Sequence, residues 1–271
     1  MVETSLYLPE SQSKVPVVIG APGLLHKSEW GRIDCFLEKL CKEHGIAGIR
    51  INFSGIVRED KKITCNFNLE QYLKDIHTVI DYINNGSKFD QNRIGFIASS
   101  ISAGIFGHYL AQCPKYDGSS RVLDARGSVG PRHHANFACC ALISPLPGWR
   151  SYATEKIREI IEQAGKGLPL TQPRDKERGI TRLIPQDSFA EAKKMDAISS
   201  LQGYRNKGMV VMTLIGRQDS VANVEDMHLY HEILGGRKEN RLEYDCGHDI
   251  PHELSKTKII EFLSRALTRN A

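Results

Sequence analysis

The feature that most constrains this fold is the alternation of short apolar runs with longer amphipathic stretches. The runs "VPVVIG" (15–20), "RIGFIAS" (93–99) and "MVVMTLIG" (209–216) are almost continuously apolar, as is typical of strands buried on both faces of a parallel sheet. Between such runs, "LEQYLKDIHTVIDYINNG" (69–86) carries its apolar residues at helical spacing and ends at Asn-Gly. Strands that alternate with helices of this length predict an α/β chain with a doubly wound, mostly parallel sheet.

The same alternation continues along the chain and indicates one domain spanning residues 1–271, without internal repeats. Further strands are predicted at "SLYLP" (5–9), "IAGIRINF" (46–53), "FACCALIS" (137–144) and "ENRLEYD" (239–245). A polar loop is expected after the second of these.

Two segments interrupt the alternation. Residues 115–137 are polar and rich in glycine, so we expect a long surface loop. Residues 148–204 form an insertion of mostly helical character between two core strands. Ligands bind outside the carboxyl ends of the strands in open α/β sheets, and the insertion follows such an end. We therefore expect a small helical cap or lid at about 148–204.

Charge and hydropathy exclude several classes of partner. The 36 basic and 32 acidic residues are mixed along the chain, so no nucleic-acid-binding surface is expected, and "GGRKENR" (235–241) is interpreted as a solvated turn. No stretch approaches the length of about 20 apolar residues that a membrane span needs, and the first residues do not resemble a secretion signal. Seven cysteines without a C-x-x-C pair favour a reducing compartment, so a cytoplasmic location is expected.

The stretch "GFIASSISAG" (95–104) places three serines directly after a predicted buried strand. A nucleophile on a sharp strand-to-helix turn needs small residues two positions before and two positions after it. Ser100 fits this pattern, with Ala98 and Ser102 as its small neighbours. Ser102 fits as well but places a bulky residue three positions later, so it stays the second choice, whereas Ser99 fits poorly. The alternative is a serine-rich helix cap without chemistry.

A serine nucleophile needs a base, and the base needs a carboxylate that fixes its tautomer. Asp219 follows the predicted strand that ends at Gly216, and His248 follows the last predicted strand. Each of these residues alone could be an ordinary loop residue. The order serine, acid, histidine, with each residue at the end of a strand, favours a catalytic triad of Ser100, Asp219 and His248.

On these residues the chain resembles the α/β-hydrolase superfamily, and within it the compact esterase branch that includes cinnamoyl and feruloyl esterases. The resemblance covers most of the chain. The segments that carry it are "VVIGAPGLLHKSEW" (17–30), "GIRINFSG" (48–55), "RIGFIASSISAG" (93–104), "LIGRQDSV" (214–221) and "CGHD" (246–249).

The resemblance implies a Ser-Asp-His hydrolase of the α/β-hydrolase fold with an oxyanion hole made of two backbone N–H groups. One donor would be Ile101, the residue after the nucleophile, and the other Leu24, with Leu25 as second choice. The sequence departs from the family pattern at the flanking glycines of the elbow, which are Ala98 and Ser102 here. It also has Pro22-Gly23 in place of the usual His-Gly pair.

Together with the triad, this resemblance implies a hydrolase that cleaves a carboxylic ester of a small molecule through an acyl-enzyme on Ser100. Trp149 and Tyr152 open the insertion directly after a strand end, so we expect at least one of them to border the substrate. The alternative is that both only anchor the insertion. No cofactor and no metal are expected, because the adjacent pair His133-His134 makes a poor chelate alone. A thioesterase, acyltransferase or peptidase with the same triad is an alternative, as is a non-catalytic homologue that binds a ligand or protein. The sequence leaves the oligomeric state open.

Overall fold

The core of the molecule is a seven-stranded sheet in which six strands are parallel. The computed structural model describes residues 3–11, 14–23, 27–59, 62–112, 136–152, 155–164, 166 and 181–268. Within these residues the sheet has the order β1-β3-β2-β6-β7-β9-β10, and only β1 runs antiparallel to its neighbour. Its strands are β1 (Glu3–Tyr7), β2 (Val15–Ala21), β3 (Ala47–Asn52), β6 (Phe89–Ser99), β7 (Phe137–Ile143), β9 (Val210–Gly216) and β10 (Arg241–Tyr244).

Helices cover both faces of this sheet, which confirms the predicted doubly wound architecture. On one face, α1 (Lys27–His44) and α8 (His252–Thr268) bury residues such as Phe36 and Leu263 against the sheet. The other face is covered by α2 (Leu69–Asn85), α3 (Ile101–Gln112) and α7 (Val224–Ile233). The central strands are buried on both sides, which is why their sequences are almost continuously apolar.

A second, three-stranded sheet lies outside this core. A hairpin of β4 (Ile56–Glu59) and β5 (Lys62–Cys65) follows β3, and β8 (Thr181–Leu183) of the insertion pairs in parallel with β5. The sequence predicted a polar loop here, and that prediction was wrong. The buried residues that the structure describes in this hairpin are Ile63 and Cys65, and an alternation of two positions is too short to indicate a strand from the sequence.

Helices make up most of the insertion residues that the structure describes. The insertion begins with a 3₁₀ turn (Trp149–Ser151) and continues through α4 (Glu155–Ala164), β8, α5 (Gln186–Lys193) and α6 (Ala197–Ser200). Its two ends are joined by backbone hydrogen bonds, since the Trp149 N–H donates to the Met195 carbonyl over 3.0 Å and the Ala197 N–H donates to the Pro147 carbonyl over 2.9 Å. The predicted surface loop at 115–137 lies almost wholly outside the described residues.

Candidate active site

Ser100 occupies a sharp turn between β6 and α3, at the carboxyl edge of the sheet. Its φ of 54° lies in the left-handed region, which is uncommon for a residue other than glycine. The turn is held from both sides, because the Ser100 N–H donates to the Ile143 carbonyl over 2.9 Å and the Ser100 carbonyl accepts from the Leu146 N–H over 3.0 Å. A strained and well-fixed backbone of this kind is typical of a nucleophile elbow.

The other two serines of this stretch, Ser99 and Ser102, are buried. Ser99 is buried at the end of β6. Ser102 is fully buried, and its hydroxyl donates a 2.5 Å hydrogen bond to the carbonyl of Pro22, in the turn after β2. Ser100 is partly exposed, so of the three hydroxyls it is the one that a substrate can reach.

His248 lies between the two other residues of the predicted triad. Its Nε2 lies 3.0 Å from the Ser100 hydroxyl oxygen, and its Nδ1 lies 2.8 Å from Oδ2 of Asp219. A carboxylate can only accept here, so the imidazole donates from Nδ1 and its Nε2 is left to accept the serine proton. The imidazole is 13% exposed, whereas the Asp219 side chain is fully buried.

Asp219 is fixed by its own loop. Its second oxygen, Oδ1, accepts hydrogen bonds from the backbone N–H groups of Val221 (2.8 Å) and Ala222 (2.9 Å). These two hydrogen bonds hold the carboxylate group in its buried position. The acid loop is also tied to the histidine loop, since the Gln218 N–H donates to the Cys246 carbonyl over 3.0 Å.

The close contact of these two loops depends on a glycine. A Cβ atom at Gly216, the last residue of β9, would lie 2.2 Å from the Gly247 carbonyl oxygen. The absence of a side chain at this position therefore allows the acid-bearing and histidine-bearing loops to approach each other.

Of the predicted oxyanion donors, Ile101 lies within the residues that the structure describes. Ile101 is the first residue of α3, where the backbone N–H has no acceptor within its own helix. Its side chain is partly buried and packs on a small apolar cluster that contains Leu146 and Ala222. Leu24 and the second choice, Leu25, lie outside the described residues.

The two predicted substrate-binding aromatics contact each other. Trp149 and Tyr152 make an edge-to-face contact with ring centroids 5.1 Å apart. Tyr152 packs on the same apolar cluster as Ile101, and its backbone forms a bridge with Ala222 of the acid loop. Tyr152 is therefore placed close to the elbow, while Trp149 continues outward to a second edge-to-face contact with Phe189 at 4.9 Å.

One further group near these aromatics, the Cys65 thiol, was not singled out from the sequence as a site residue. Cys65 of the hairpin is buried, and its sulfur lies 3.8 Å from the Tyr72 hydroxyl. Burial raises the pKa of the Cys65 thiol to about 11, and burial followed by the influence of Cys65 raises the pKa of the Tyr152 hydroxyl above its usual range. Both groups therefore stay protonated at neutral pH and are not nucleophiles.

A cavity of about 290 Å³ lies within the insertion. It is lined by Glu162, Lys166, Gln186, Phe189, Ala190 and Lys193. The Lys193 ammonium lies 4.8 Å above the Phe189 ring and 3.4 Å from a Glu162 carboxylate oxygen, so it is already engaged by both a ring and an anion.

His133 and His134 lie outside the described residues. In the part of the chain that the structure covers, there is no group of three or more histidine, cysteine or acidic side chains able to hold a metal ion. No helix among the described residues combines the length and apolar character that crossing a bilayer requires.

Solved structures similar to this one include esterases and hydrolases. No protein-family model matches the chain, and no curated protein has a significantly similar sequence. Est1E from Butyrivibrio proteoclasticus, in its complex with ferulic acid, is 17% identical with a TM-score of 0.63 over 97% of this chain and 94% of Est1E. The esterase EaEST from Exiguobacterium antarcticum is 12% identical with a TM-score of 0.61, over 97% of this chain and 96% of EaEST.

A third similar structure is the α/β hydrolase GrgF from Penicillium sp. sh18. It is 13% identical, with a TM-score of 0.64 over 98% of this chain and 94% of GrgF. Identities this low establish a shared architecture and leave the activity to be argued from the site. The fold expected from the sequence resemblance is confirmed.

Proposed function

We propose that this protein, which has the α/β-hydrolase fold, is a serine hydrolase that cleaves carboxylic esters through an acyl-enzyme on Ser100. The observation that carries the proposal is the continuous hydrogen-bonded chain from Asp219 through His248 to Ser100. In this arrangement a buried carboxylate orients a partly exposed imidazole, which can accept the proton of a partly exposed serine hydroxyl during attack.

Acylation begins when the Ser100 oxygen attacks the ester carbonyl carbon while its proton passes to Nε2 of His248. The buried Asp219 carboxylate stabilises the imidazolium through the Nδ1 hydrogen bond. The bond between the carbonyl carbon and the alcohol oxygen then breaks, and the leaving alcohol takes the proton from Nε2. In deacylation, water attacks the acyl-enzyme, gives its proton to Nε2 and releases the acid, and the proton returns to Ser100.

Charge that develops on the carbonyl oxygen needs fixed donors. We assign one to the backbone N–H of Ile101, at the start of the 12-residue helix α3, where the helix dipole also favours negative charge. The second, the N–H of Leu24, is proposed from the family resemblance. The hydrogen bond from Ser102 to the Pro22 carbonyl supports this assignment, because it ties the start of that turn to the elbow helix.

We propose that the insertion at about 148–204 is a cap on this single domain and that Trp149 and Tyr152 border the acyl group. Both the hairpin and the insertion leave the sheet at the carboxyl ends of strands, β3 and β7, which is also the edge that carries Ser100. Tyr152 supports the assignment because it packs on the same cluster as Ile101. The β5–β8 pairing adds the hairpin to this cap.

The solved structures that resemble this one favour an ester as the substrate. Est1E has been solved with ferulic acid bound, and EaEST is an esterase. A small-molecule acyl ester suits a site that is bordered by two contacting aromatic rings.

The location that we propose is the cytoplasm. The six cysteines in the described ranges are free thiols, and three of them are buried in the core or hairpin. Burial raises the pKa of Cys139 in β7 to about 12, so this thiol is not reactive. Free thiols of this kind are typical of proteins in a reducing compartment.

The decisive experiment is labelling with a fluorophosphonate probe, read by mass spectrometry of the modified peptide. We expect covalent modification of the wild type at Ser100 and complete loss in Ser100→Ala. Ser102→Ala is the matched control, since it removes a neighbouring hydroxyl that is fully buried; we expect its label to stay on Ser100. Label that remains in Ser100→Ala and disappears in Ser102→Ala would assign the nucleophile to Ser102.

A substrate panel tests the bond that is cleaved. We expect p-nitrophenyl esters to be hydrolysed by the wild type faster than acyl-CoA thioesters of the same chain length. A preference for the thioesters would change the reaction class while keeping the triad. The absence of both labelling and hydrolysis would support a binding protein instead.

A further inference from the structure

The turn that follows β7 contacts each of the three segments that carry the proposed triad. Its residue Ser144 has a φ of 42°, and within the described residues Ser100 and Ser144 are the two non-glycine residues with a positive φ. Ser144 is 1% exposed. Strained backbone persists where the surrounding structure over-determines it, so this turn requires a physical explanation.

Hydrogen bonds account for how the turn is held. The carbonyl of Ile143 and the N–H of Leu146 bond the backbone of Ser100, as described above. The Ser144 N–H donates to the Leu214 carbonyl over 2.9 Å, in the strand that leads to Asp219. The Ser144 hydroxyl donates to the backbone carbonyl of His248 over 2.7 Å.

The last of these bonds fixes the base itself. His248 lies in a short loop. Its backbone carbonyl accepts hydrogen bonds from the Ser144 hydroxyl and, over 3.1 Å, from the Ile250 N–H. The Ser144 bond ties this loop to the same turn that holds the Ser100 backbone. Hydrogen bonds therefore attach both the nucleophile and the base to one turn. This common attachment keeps Nε2 of His248 at 3.0 Å from Oγ of Ser100.

We propose that Ser144 is a positioning residue that holds His248 in hydrogen-bonding distance of Ser100. This inference rests on the proposed function. A glycine at residue 144 would relieve the positive φ but would leave the His248 carbonyl without this donor. The chain keeps a strained serine because the hydroxyl is required.

Two variants and one control test the proposal. Ser144→Ala removes the hydroxyl and keeps the strain, and Ser144→Gly removes both. Ser264→Ala is the matched control, because Ser264 is also buried and also donates to a backbone carbonyl, that of Glu261, within α8. Kinetics on a p-nitrophenyl ester, the rate of fluorophosphonate labelling and thermal unfolding are measured for all four proteins.

We expect kcat to fall about 10- to 100-fold in both Ser144 variants, with KM within about twofold, because a small displacement of a catalytic group acts on the chemical step. The labelling rate should fall in parallel. Ser264→Ala should keep the wild-type kcat. A Ser144→Gly enzyme with wild-type kcat would overturn the proposal, since it would show that relief of strain compensates for the missing hydroxyl.

A spectroscopic measurement separates this inference from the proposed function. We expect the proton that His248 Nδ1 donates to Asp219 to give a far-downfield resonance in the ¹H NMR spectrum of the unliganded protein. We expect that resonance to shift or broaden in both Ser144 variants and to stay unchanged in Ser264→Ala. An unchanged resonance would overturn the positioning role even in a chain that lacks hydrolase activity, whereas failure of the wild type to label would overturn only the proposed function.

Discussion

Nε2 of His248 lies 3.0 Å from the hydroxyl oxygen of Ser100, although 148 residues separate the two along the chain. The approach is possible because β6 and β10, which precede the two residues, end at the same edge of a parallel sheet, and because the loop after β10 is tied to the loop after β9 by a backbone hydrogen bond from Gln218 to Cys246. The topology of the sheet thus brings the site residues to one edge of the molecule.

Replacing the buried acid should change the tautomer of the base without disturbing the loop. In Asp219→Asn, the amide oxygen can still accept from the Val221 and Ala222 N–H groups, while the amide nitrogen faces Nδ1 of His248. We expect kcat to fall by about 10⁴, with little change in the melting temperature. Glu225→Gln, an exposed acid of the first turn of α7, is the control. Activity within tenfold of wild type would remove Asp219 from the mechanism.

Two glycines that face each other across the acid and histidine loops should respond very differently to a methyl group. A Cβ at Gly216 would lie 2.2 Å from the Gly247 carbonyl oxygen, whereas a Cβ at Gly247 would lie 3.7 Å from its nearest neighbour, the Gln218 carbonyl oxygen. We expect Gly216→Ala to lose activity and melt at a lower temperature, and Gly247→Ala to keep both. Equal tolerance of the two substitutions would contradict the close contact of the loops.

Acidification should destabilise the attachment of α3 to the insertion. Nε2 of His108 accepts from the Asp196 N–H, and its Nδ1 lies 3.0 Å from the Ser200 hydroxyl, an arrangement that requires a neutral ring. Burial lowers the pKa of His108 below its ordinary value, and the nearby Asp196 offsets this only in part. The unfolded chain therefore binds a proton first, at about pH 6.5, and stability that is complete above that pH is lost progressively below it.

Urea unfolding between pH 7.5 and pH 4.5 measures this loss. His108→Gln removes the titration and keeps an acceptor, so its free energy of unfolding should fall less steeply with acidification than that of the wild type. His44→Gln, at an exposed histidine in the last turn of α1, is the control and should follow the wild type. Parallel curves for the wild type and His108→Gln would exclude a contribution from this ring.

The hydroxyl of Tyr230 should contribute to stability but not to chemistry. It is buried on α7 and donates a 2.5 Å hydrogen bond to the carbonyl of Ala103, in the first turn of α3. In Tyr230→Phe we expect a loss of about 1–2 kcal/mol in the free energy of unfolding, because a buried acceptor loses a partner. Activity should stay close to wild type. Tyr82→Phe, at an exposed tyrosine, is the reference, and an equal effect of both would contradict the prediction.

The strands of the main sheet could be predicted from the sequence because each is an apolar run bounded by turns. The order of serine, acid and histidine predicted a meeting of three residues, and the structure brings Ser100, Asp219 and His248 together. The hairpin at 56–65 escaped prediction because its pattern is too short to distinguish from a polar loop. The contact of Ser144 with His248 depends on a backbone angle and on a residue 104 positions away, neither of which leaves a local pattern.

The parallel pairing of Thr64 with Leu183 has a practical consequence for engineering. One edge of the outer sheet belongs to the insertion, but its central strand is supplied by the hairpin more than a hundred residues earlier. A chimera that imported residues 148–204 from a relative would dock a foreign strand against the host's hairpin. Transplanting the insertion on this scaffold therefore means moving 56–65 and 148–204 together, as one discontinuous module.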